Sequence, residues 1–327
     1  MSATQDTAQP PKTFDLKKVY AIASAHAFPG LWLWGLATLL CLVDAALIAL
    51  NPRLSFTFQP MLGAIVPLSF VPVLIWRLST VTEATSPKYV RMMRCGLMVL
   101  FLIPTMSSLG VLNHILMAVR FPLVDDLLTS WDRALGLDWL ALGRAIAYFP
   151  LVNLAMDQIY QFMLPALIMV GLHAIIVGRS NYATEFLGLV ILTASFCVTM
   201  AMFFPCIGAM DHLADPAFKA MFSADTGNSF VPQLLEIRGT APVLFNPLRL
   251  AGLAAFPSFH CVCGVLMIYG SRSTIISHMI ASIFGVLLIA STPTFGGHYF
   301  VDLISGAIIA IVFILIGRRI QKHYAKA

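Results

Sequence analysis

Long apolar runs recur along this chain, and they constrain its fold more than any other feature. An α-helix needs about 20 apolar residues to cross the hydrocarbon core of a membrane. Only 11% of the 327 residues are charged, against about 25% in an ordinary soluble domain. The sequence therefore predicts an all-α, polytopic membrane helix bundle with about eight transmembrane helices. The predicted spans lie near 31–50, 60–76, 95–118, 154–177, 184–205, 258–271, 275–291 and 302–317.

The distribution of lysine and arginine orients the predicted helices. Cytoplasmic loops of membrane proteins carry an excess of basic residues, and placing the N-terminus inside puts the basic clusters at 88–94 and 318–322 in the cytoplasm. Eight spans return the C-terminus to the same side. The polar opening "MSATQDTAQPPKTFDLKK" predicts a cytoplasmic tail rather than a signal peptide. The net charge of +5 then reflects topology, and no basic face for nucleic acid is indicated.

The segment "FPLVDDLLTSWDRALGLDW", residues 121–139, connects two predicted spans and has the pattern of an amphipathic helix. Its apolar stripe consists of Val124, Leu127, Leu128, Trp131 and Leu135. Its opposite face carries Asp125, Asp126, Thr129, Asp132 and Arg133. We expect this helix to lie flat at the membrane interface with a solvated polar face, and we favour that interpretation over an acidic metal site.

A second long connection, about 206–257, is rich in Pro, Gly, Asp and Asn. Loops of this length in a compact fold are usually functional or disordered. This one leads directly into the stretch "AAFPSFHCVCGV", residues 254–265. We therefore expect it to act as a lid.

Two histidines and an aspartate stand at the ends of predicted spans. His260 follows Pro-Ser at the start of one span, and "STPTFGGHYFVDLISG", residues 291–306, places His298 and Asp302 at the start of another. The predicted topology brings all three to the extracytoplasmic ends of their helices. His298 and Asp302 are four residues apart, so on a helix Asp302 can accept a hydrogen bond from one ring nitrogen and leave the other as a nucleophile or base.

The residues that flank the histidines suggest an anion. Gly296 and Gly297 allow close backbone approach near a helix N-terminus, a setting that attracts phosphate. Pro257 and Ser258 have the form of a helix start, and the N–H and hydroxyl of Ser258 are also available to an oxyanion.

Structural roles compete with these interpretations. A lone histidine at a helix end is usually an interfacial or capping residue, and we interpret His114, His173 and His278, which lie elsewhere in predicted spans or loops, as structural. The set of His260, His298 and Asp302 favours chemistry, with a zinc site from the same three residues as an alternative. The acids within predicted spans, Asp44 and Asp157, are expected to pair or to face a polar cavity.

The two motifs resemble those of a known family. "FPSFH" followed by "STPTFGGHYFVD" is similar to the second and third signature motifs of the type-2 phosphatidic acid phosphatase superfamily, which are Pro-Ser-Gly-His, and Ser-Arg, five residues, His, three residues, Asp. The similarity is greater to the branch of inositol phosphorylceramide synthases and their bacterial relatives, where forms such as Pro-Ser-Leu-His and His-Tyr-Phe-Val-Asp occur. "LTSWDRALGLDW" and "LLEIRG" also resemble that branch, so the resemblance covers roughly 120–318.

The resemblance implies a reaction through a phosphohistidine, without a metal or another cofactor. His298 would attack the phosphorus of a lipid phosphate or phosphodiester. Asp302 would orient His298 and balance its charge. His260 would protonate the leaving oxygen and then activate the acceptor, which is water in a phosphatase and an alcohol in a transferase.

The sequence departs from the family's patterns in its basic residues. The Arg of the third motif is Thr292, although Ser291 is kept, and the Gly of the second motif is Phe259. The first signature, Lys, six residues, Arg-Pro, is missing. A phosphate undergoing transfer still needs cations, and we expect Arg238 to supply one, with Arg249 as the weaker candidate. The predicted phosphate-binding residues are Arg238, Ser258, Ser291 and Gly297.

These observations predict one membrane protein with an accessory part and a catalytic part. Residues 1–94 form a cytoplasmic tail and two accessory helices, and residues 95–327 form the catalytic domain with a six-helix core. The predicted function is a phosphotransferase, most similar to a phosphoinositol-type headgroup transferase. Its substrate is a phospholipid or polyprenyl phosphate at the extracytoplasmic face of a bacterial inner membrane.

Two other functions remain open at this point. One is a lipid phosphate phosphatase. The other is a non-catalytic transporter or flippase-like protein, which is expected to carry ionisable groups near the membrane midplane on broken helices. The predicted location of His260, His298 and Asp302 at one surface favours an enzyme.

Overall fold

The computed structural model describes residues 28–56, 86–224, 226–246 and 249–324. This part of the chain is 74% helical with only two three-residue strands, which confirms the predicted all-α fold. In chain order its elements are α1 (Leu31–Leu50), β1 (Leu54–Phe56), α2 (Pro87–Met117), α3 (Asp125–Ala134), α4 (Trp139–Ala147), α5 (Pro150–Gln161), α6 (Met163–Ile176), α7 (Ser180–Phe203), α8 (Ala209–Leu213), α9 (Pro216–Lys219), α10 (Val231–Arg238), β2 (Val243–Phe245), α11 (Phe259–Gly270), α12 (Ile275–Phe295) and α13 (Phe300–Tyr324).

Several of these helices are long and apolar enough to cross a membrane. Within the described residues they are α1, α2, α7, α12 and α13, and a sixth span results if α4 and α5, which meet at 113°, are counted together. The chain is therefore an integral membrane protein. The predicted span at 258–271 is the short apolar helix α11. The predicted span at 60–76 lies outside the described residues, so the total of eight stays a prediction.

The predicted span at 154–177 is interrupted. The chain forms two helices there, α5 and α6, separated at Phe162. Pro165 in the first turn of α6 cannot donate a backbone hydrogen bond, and its ring clashes with the carbonyl of Gln161, where α5 ends. In addition, α2 begins with Pro87 at its first turn, so the predicted division between residues 94 and 95 falls inside a helix.

The two motif-bearing helices meet at one end of the bundle. Ser258 caps α11, where its hydroxyl oxygen accepts the Cys261 N–H at 3.3 Å, as the helix-start pattern predicted. The Ser258 N–H donates to the Asp302 carbonyl oxygen at 3.0 Å. A Cβ on Gly306 would lie 2.4 Å from the Ser258 carbonyl oxygen, so glycine at 306 permits this close approach of α13 to α11.

The segment predicted to act as a lid, about 206–257, contains short helices and a strand, and its function as a lid stays a prediction. We call residues 206–246, apart from 225, the cap. It contains α8, α9, α10 and β2, and β2 pairs in parallel with β1. Two backbone hydrogen bonds tie it to the link between α12 and α13: Ala209 N donates to Gly297 O at 2.7 Å, and Gly227 N donates to Phe295 O at 3.0 Å. The cap is therefore part of the wall of this end of the bundle.

Part of the apolar stripe of α3 faces outward as predicted, but two acids of its polar face are buried. Leu127, Trp131 and Leu135 are exposed on the outside of the bundle, whereas Asp125 and Asp132 are buried. Burial of a carboxylate is costly unless it is hydrogen-bonded, and these two accept N–H groups from other segments of the chain. The expectation of a solvated polar face is therefore wrong for Asp125 and Asp132, although Asp126 and Arg133 are exposed as predicted.

Candidate active site

His298 and Asp302 form a hydrogen-bonded pair at the start of α13. The Nδ1 atom of His298 lies 3.2 Å from Oδ2 of Asp302, and the same oxygen accepts the Tyr299 backbone N–H at 2.9 Å. Both side chains are buried. The hydrogen bond expected from the four-residue spacing is present. It fixes the ring orientation of His298 through Nδ1 and leaves Nε2 for chemistry.

His298 lies in an environment that favours its neutral form. Burial lowers the pKa of His298 to about 4, because the charged imidazolium loses its hydration inside the protein. A hydrogen bond to the Ala255 backbone acts in the opposite direction. The imidazole is therefore neutral near pH 7, and a neutral imidazole has the lone pair that nucleophilic attack requires.

His260, in the first turn of α11, lies beside His298. The two ring centroids are 5.9 Å apart. Tyr160 of α5 stacks on His260 with a centroid distance of 4.3 Å, and its hydroxyl oxygen lies 3.5 Å from Nδ1 of His260. The structure thus brings the three predicted catalytic side chains together, and Tyr160 restricts the ring of His260.

Asp132 of α3 holds the N-terminus of α13. Its Oδ2 accepts the Phe300 N–H and its Oδ1 accepts the Val301 N–H, each at 2.9 Å. A carboxylate in this position satisfies two donors that a helix leaves unpaired and interacts favourably with the helix dipole. Burial raises the pKa of Asp132, and the two N–H groups oppose that rise. Asp132 therefore fixes the turn that carries Asp302.

Asp125, two helical turns before Asp132, holds the neighbouring segments. Its carboxylate accepts the backbone N–H groups of Ile207 and Gly208, each at 3.1 Å. It also accepts the hydroxyl of Tyr299 at 2.9 Å. One buried carboxylate therefore connects α3, the cap and the residue next to His298.

Trp139 completes the support of this link from the other side. Its indole N–H lies 3.1 Å from both the Pro293 and the His298 carbonyl oxygens, so the donor is shared between the end of α12 and the residue that carries the imidazole. The Trp139 ring is buried. Its ring centroid is 5.6 Å from that of Phe218 in the cap.

The phosphate-binding residues predicted from the two motifs are engaged within the protein. The Ser258 N–H is taken by Asp302 O, so the expectation that it is free for an oxyanion is wrong in this structure. The Ser291 hydroxyl donates to Leu288 O within α12 at 2.8 Å. Gly297 has a φ of 64°, and a Cβ there would lie 2.0 Å from Gly227 O. These residues shape the link between α12 and α13.

The predicted cation Arg238 lies in a group of arginines. Its Nη2 donates to Phe121 O at 2.5 Å. Burial and the charge of Arg120 lower its pKa. Arg53 and Arg120 both donate to the carbonyl oxygen of Gly239. We call Arg53, Arg120 and Arg238 the arginine cluster.

Neither predicted cation contacts the catalytic side chains. Among the described residues, no hydrogen bond or ion pair joins Arg238 or Arg249 to His260, His298 or Asp302. Arg249 lines a small cleft of about 180 Å³ with Gln233 and Glu236. The expected direct role of either arginine at the phosphorus is therefore not supported by contacts.

Lys219, at the end of α9, is a basic residue that the motifs did not indicate. Its Nζ is 2.5 Å from Oδ1 of Asp211, which also accepts the Asn228 side-chain N–H at 3.1 Å. Lys219 lies between two aromatic residues of the cap. Phe218 packs on Trp139, whose indole binds the His298 carbonyl oxygen. Phe222 packs on Phe295 at the end of α12, with ring centroids 6.2 Å apart.

A cleft of about 420 Å³ opens beside the site. It lies between α5 and the cap, and its lining includes Asn153, Asp157, Phe222 and Ser223. Asp157 is one helical turn from Tyr160, which stacks on His260. Asp157 thus faces a cavity, as expected for an acid in an apolar helix, and the other such acid, Asp44, accepts the Ser108 hydroxyl at 2.5 Å.

The fold and the site together define a class of protein: a polytopic membrane protein in which two histidines and an aspartate meet at helix ends, buried against supporting carboxylates. The family model of the PAP2 superfamily matches residues 126–316, and this chain belongs to that superfamily. Membership supports phosphatase or phosphotransferase activity on lipid phosphates in membranes. No curated protein and no solved structure matches the chain.

The zinc alternative finds no support in the described residues, where no group of three or more His, Cys, Asp or Glu side chains is placed to hold a metal ion. Independence of the reaction from metals stays a prediction.

Sequence reasoning missed four residues that hold the catalytic side chains or their backbone, namely Asp125, Asp132, Trp139 and Tyr160, and one basic residue of the cap, Lys219. The first three lie in "DDLLTSWDRALGLDW", and Asp125 and Asp132 are seven apart, on one helical face. A signal was therefore present, although an amphipathic pattern does not say which face is inside. Nothing in the sequence around Tyr160 or Lys219 marked either residue.

Proposed function

We propose that this protein is a phosphotransferase that moves a phosphoinositol-type headgroup between lipids through a phosphohistidine at His298. The observation that carries the proposal is the buried His298–Asp302 pair, 3.2 Å between nitrogen and oxygen, with the His260 ring 5.9 Å from that of His298. The resemblance of the two motifs to inositol phosphorylceramide synthases supports the headgroup.

In the first step, the Nε2 lone pair of His298 attacks the phosphorus of the donor lipid. A nitrogen–phosphorus bond forms, and the bond from phosphorus to the diacylglycerol oxygen breaks. Protonated His260 gives its proton to that leaving oxygen. The products are diacylglycerol, neutral His260 and a His298 that carries the phosphoinositol group.

In the second step, neutral His260 takes the proton of the acceptor hydroxyl. The acceptor oxygen attacks phosphorus, the nitrogen–phosphorus bond breaks and His298 is regenerated. His260 ends the cycle protonated, ready for the next donor. Water in place of the alcohol turns the same sequence into hydrolysis.

Asp302 acts through His298. The imidazole gains positive charge when Nε2 bonds to phosphorus, and the carboxyl group on Nδ1 stabilises that charge and holds the ring in the reactive orientation. Asp132, Asp125 and Trp139 hold the backbone on both sides of His298, and such fixed geometry lowers the entropic part of the barrier.

The proposal also assigns sides to the membrane. The basic clusters at 88–94 and 318–322 are taken as cytoplasmic, and the catalytic end as extracytoplasmic in a bacterial inner membrane. Phospholipid in the outer leaflet would then be the donor, and a lipid alcohol in the same leaflet the acceptor.

Product analysis tests this function directly. Purified protein is given phosphatidylinositol with ceramide or diacylglycerol, and the products are separated by mass. An inositol phosphoryl group on the acceptor lipid is the expected result, absent in His298→Gln and retained in Asp126→Asn, which changes an exposed carboxylate. Release of inorganic phosphate from phosphatidic acid or a polyprenyl diphosphate, with no headgroup transfer, would instead identify a lipid phosphatase.

A further inference from the structure

Another pocket, lined by charged and polar side chains, lies at the opposite end of the bundle from the catalytic site. It has a volume of about 700 Å³ and is bounded by the start of α7 and the ends of α11 and α13. Asp302 and Arg318 lie near opposite ends of α13, about 24 Å apart at 1.5 Å per residue. The pocket is therefore separate from the catalytic site. Its lining residues are Asn181, Tyr182, Glu185, Tyr269, Arg272, Arg318, Gln321 and Lys322.

One of the basic side chains in this pocket is already fixed. Arg272 pairs with Glu185 and donates to the Tyr269 carbonyl oxygen at 2.9 Å. Its guanidinium lies 4.4 Å from the Tyr182 ring centroid and 3.9 Å from that of Tyr269, distances at which cation–π attraction contributes. Glu185 also accepts the Tyr269 hydroxyl at 2.6 Å. The one acidic residue of the lining is therefore occupied by Arg272 and Tyr269.

Two basic side chains remain without an acidic partner. Arg318 and Lys322 are four residues apart on α13, so they project from one face of the helix. Among the described residues neither forms an ion pair with a carboxylate. The lining holds three basic residues and one acidic residue, so it has a net positive charge and also offers amide donors from Asn181 and Gln321.

The position of this pocket indicates the source of the anion. Its residues lie at the ends of spanning helices, where lipid headgroups meet the protein, and basic pockets between helices at this level bind anionic headgroups. We propose that Arg318 and Lys322, with Asn181 and Gln321, bind the phosphate of an anionic phospholipid in the leaflet opposite the catalytic site. The fixed Arg272–Glu185 pair and the two tyrosine rings form the wall against which the headgroup rests.

Lipid binding to the full chain in detergent tests the proposal without any activity measurement. Native mass spectrometry gives the Kd for phosphatidylglycerol and for phosphatidylcholine with the same acyl chains. We expect tighter binding of phosphatidylglycerol. The variant Arg318→Gln/Lys322→Gln should weaken phosphatidylglycerol binding by about 10-fold or more, because each basic residue near a membrane surface contributes roughly fivefold in affinity.

Two comparison variants make the result specific. Arg319→Gln/Lys88→Gln removes the same charge from exposed residues outside the pocket and should keep the wild-type Kd. Arg318→Lys/Lys322→Arg preserves the charge and should also bind phosphatidylglycerol. The proposal is wrong if Arg319→Gln/Lys88→Gln weakens phosphatidylglycerol binding as much as Arg318→Gln/Lys322→Gln does. It is also wrong if the wild type binds phosphatidylglycerol and phosphatidylcholine with the same Kd. If soluble glycerol phosphate binds as tightly as the lipid, the ligand of this pocket is a free phosphate ester and not a lipid headgroup.

Discussion

Asp132 and Asp302 act on the first turn of the same helix from two directions. Asp132 accepts the N–H groups of Phe300 and Val301 at 2.9 Å from outside that turn, and Asp302 accepts the Tyr299 N–H at 2.9 Å from within it. The residue that orients the catalytic imidazole is thus itself held by a carboxylate from a distant part of the chain. This arrangement makes the support of His298 testable separately from its chemistry.

The substitution Asp132→Asn tests that support. An amide offers one acceptor oxygen where the carboxylate offers two, so one buried N–H loses its partner, at a cost of about 1–3 kcal/mol in the free energy of unfolding. We expect kcat to fall by about 10-fold or more, because misplacement of a reacting group is costly, with little change in KM. Steady-state kinetics and thermal unfolding measure both effects.

Asp126→Asn is the matched control for Asp132→Asn, because it makes the same change on the exposed side of the same helix. It should leave kcat and stability at wild-type values. If Asp132→Asn also leaves kcat unchanged, the capping of α13 is not needed for catalysis.

If the reaction passes through a phosphohistidine, that covalent intermediate can be trapped on the protein. Wild-type protein quenched during turnover of a phosphorus-labelled donor should retain label that survives alkali and is lost in acid, as a phosphoramidate does. His298→Gln should carry no label, because no other group forms that bond. His260→Gln should accumulate label from a donor with a good leaving group, since it lacks the base for the second step. Label on the protein in His298→Gln would assign the nucleophile elsewhere.

The lowered pKa of His298 predicts an unusual pH profile. With a phosphodiester donor that has a p-nitrophenol leaving group, formation of the labelled enzyme does not need a general acid. The rate of labelling should then stay level through pH 6.5, the ordinary pKa of histidine, and fall only near pH 4. Stopped-flow release of p-nitrophenol follows this step. A fall centred at pH 6.5 would mean that burial does not lower the pKa of His298.

The same shift links protonation to stability. The folded-state pKa of about 4 lies below the ordinary value of 6.5, so the unfolded chain binds this proton more readily. The contribution of His298 to stability is therefore fully present above pH 6.5 and is lost as the pH falls toward 4. Unfolding in detergent at pH 5 and pH 7 should show a smaller pH dependence for His298→Gln than for the wild type.

Substitutions of Arg238 and Lys219 separate two sources of positive charge. Direct contact with the transition state would make loss of the cation cost on the order of 10²-fold in kcat. Arg238 belongs to the arginine cluster and has no contact with the catalytic side chains, so Arg238→Gln should mainly raise the KM for an anionic donor. Lys219 also lacks such a contact among the described residues. Its neighbour Phe218, however, packs on Trp139, whose indole holds the His298 carbonyl oxygen, so we expect the larger loss of kcat in Lys219→Gln. The reverse order would return the phosphate-binding role to Arg238.

The sidedness of the site can be tested by cysteine labelling. Arg133 is exposed at the catalytic end, and Arg319 is exposed at the other. After replacement of the exposed Cys41, Arg133→Cys should react with an impermeant maleimide on intact cells, and Arg319→Cys only after lysis. Gly297 is unsuitable for this purpose, because its φ of 64° and its contact with Gly227 exclude a side chain. Labelling in the opposite order would invert the proposed orientation.

The sequence predicted the parts of this structure that depend on local pattern. Apolar length identified the membrane class, the Pro-Ser pair identified the start of α11, and the spacing of His298 and Asp302 predicted their hydrogen bond. Each of these depends on residues within one or two helical turns. The break at Phe162 also has a local cause in Pro165, although the apolar run around it suggested one continuous helix.

The parts that failed depend on contacts between distant segments. Asp125 and Asp132 are buried because N–H groups at 207, 208, 300 and 301 reach them, and no pattern within α3 contains that information. Tyr160 contacts His260 because α5 and α11 both pack against α12. The Ser258 N–H is taken by Asp302 O, a partner that the local sequence does not name. Hydrogen bonds between distant segments therefore determine which polar groups are buried and which remain available to a substrate.

The inward-facing carboxylates of α3 have a consequence for assembly. The chain is synthesised from its N-terminus, so Asp125 and Asp132 reach the membrane long before Tyr299, Phe300 and Val301, whose groups they accept. Until α13 inserts, Asp132 has only water as a partner and Asp125 has only the N–H groups of Ile207 and Gly208, so little draws the polar face of α3 inward. We therefore expect α3 to take up its buried position only when α13 arrives, so that the active site is completed late in the insertion of the chain.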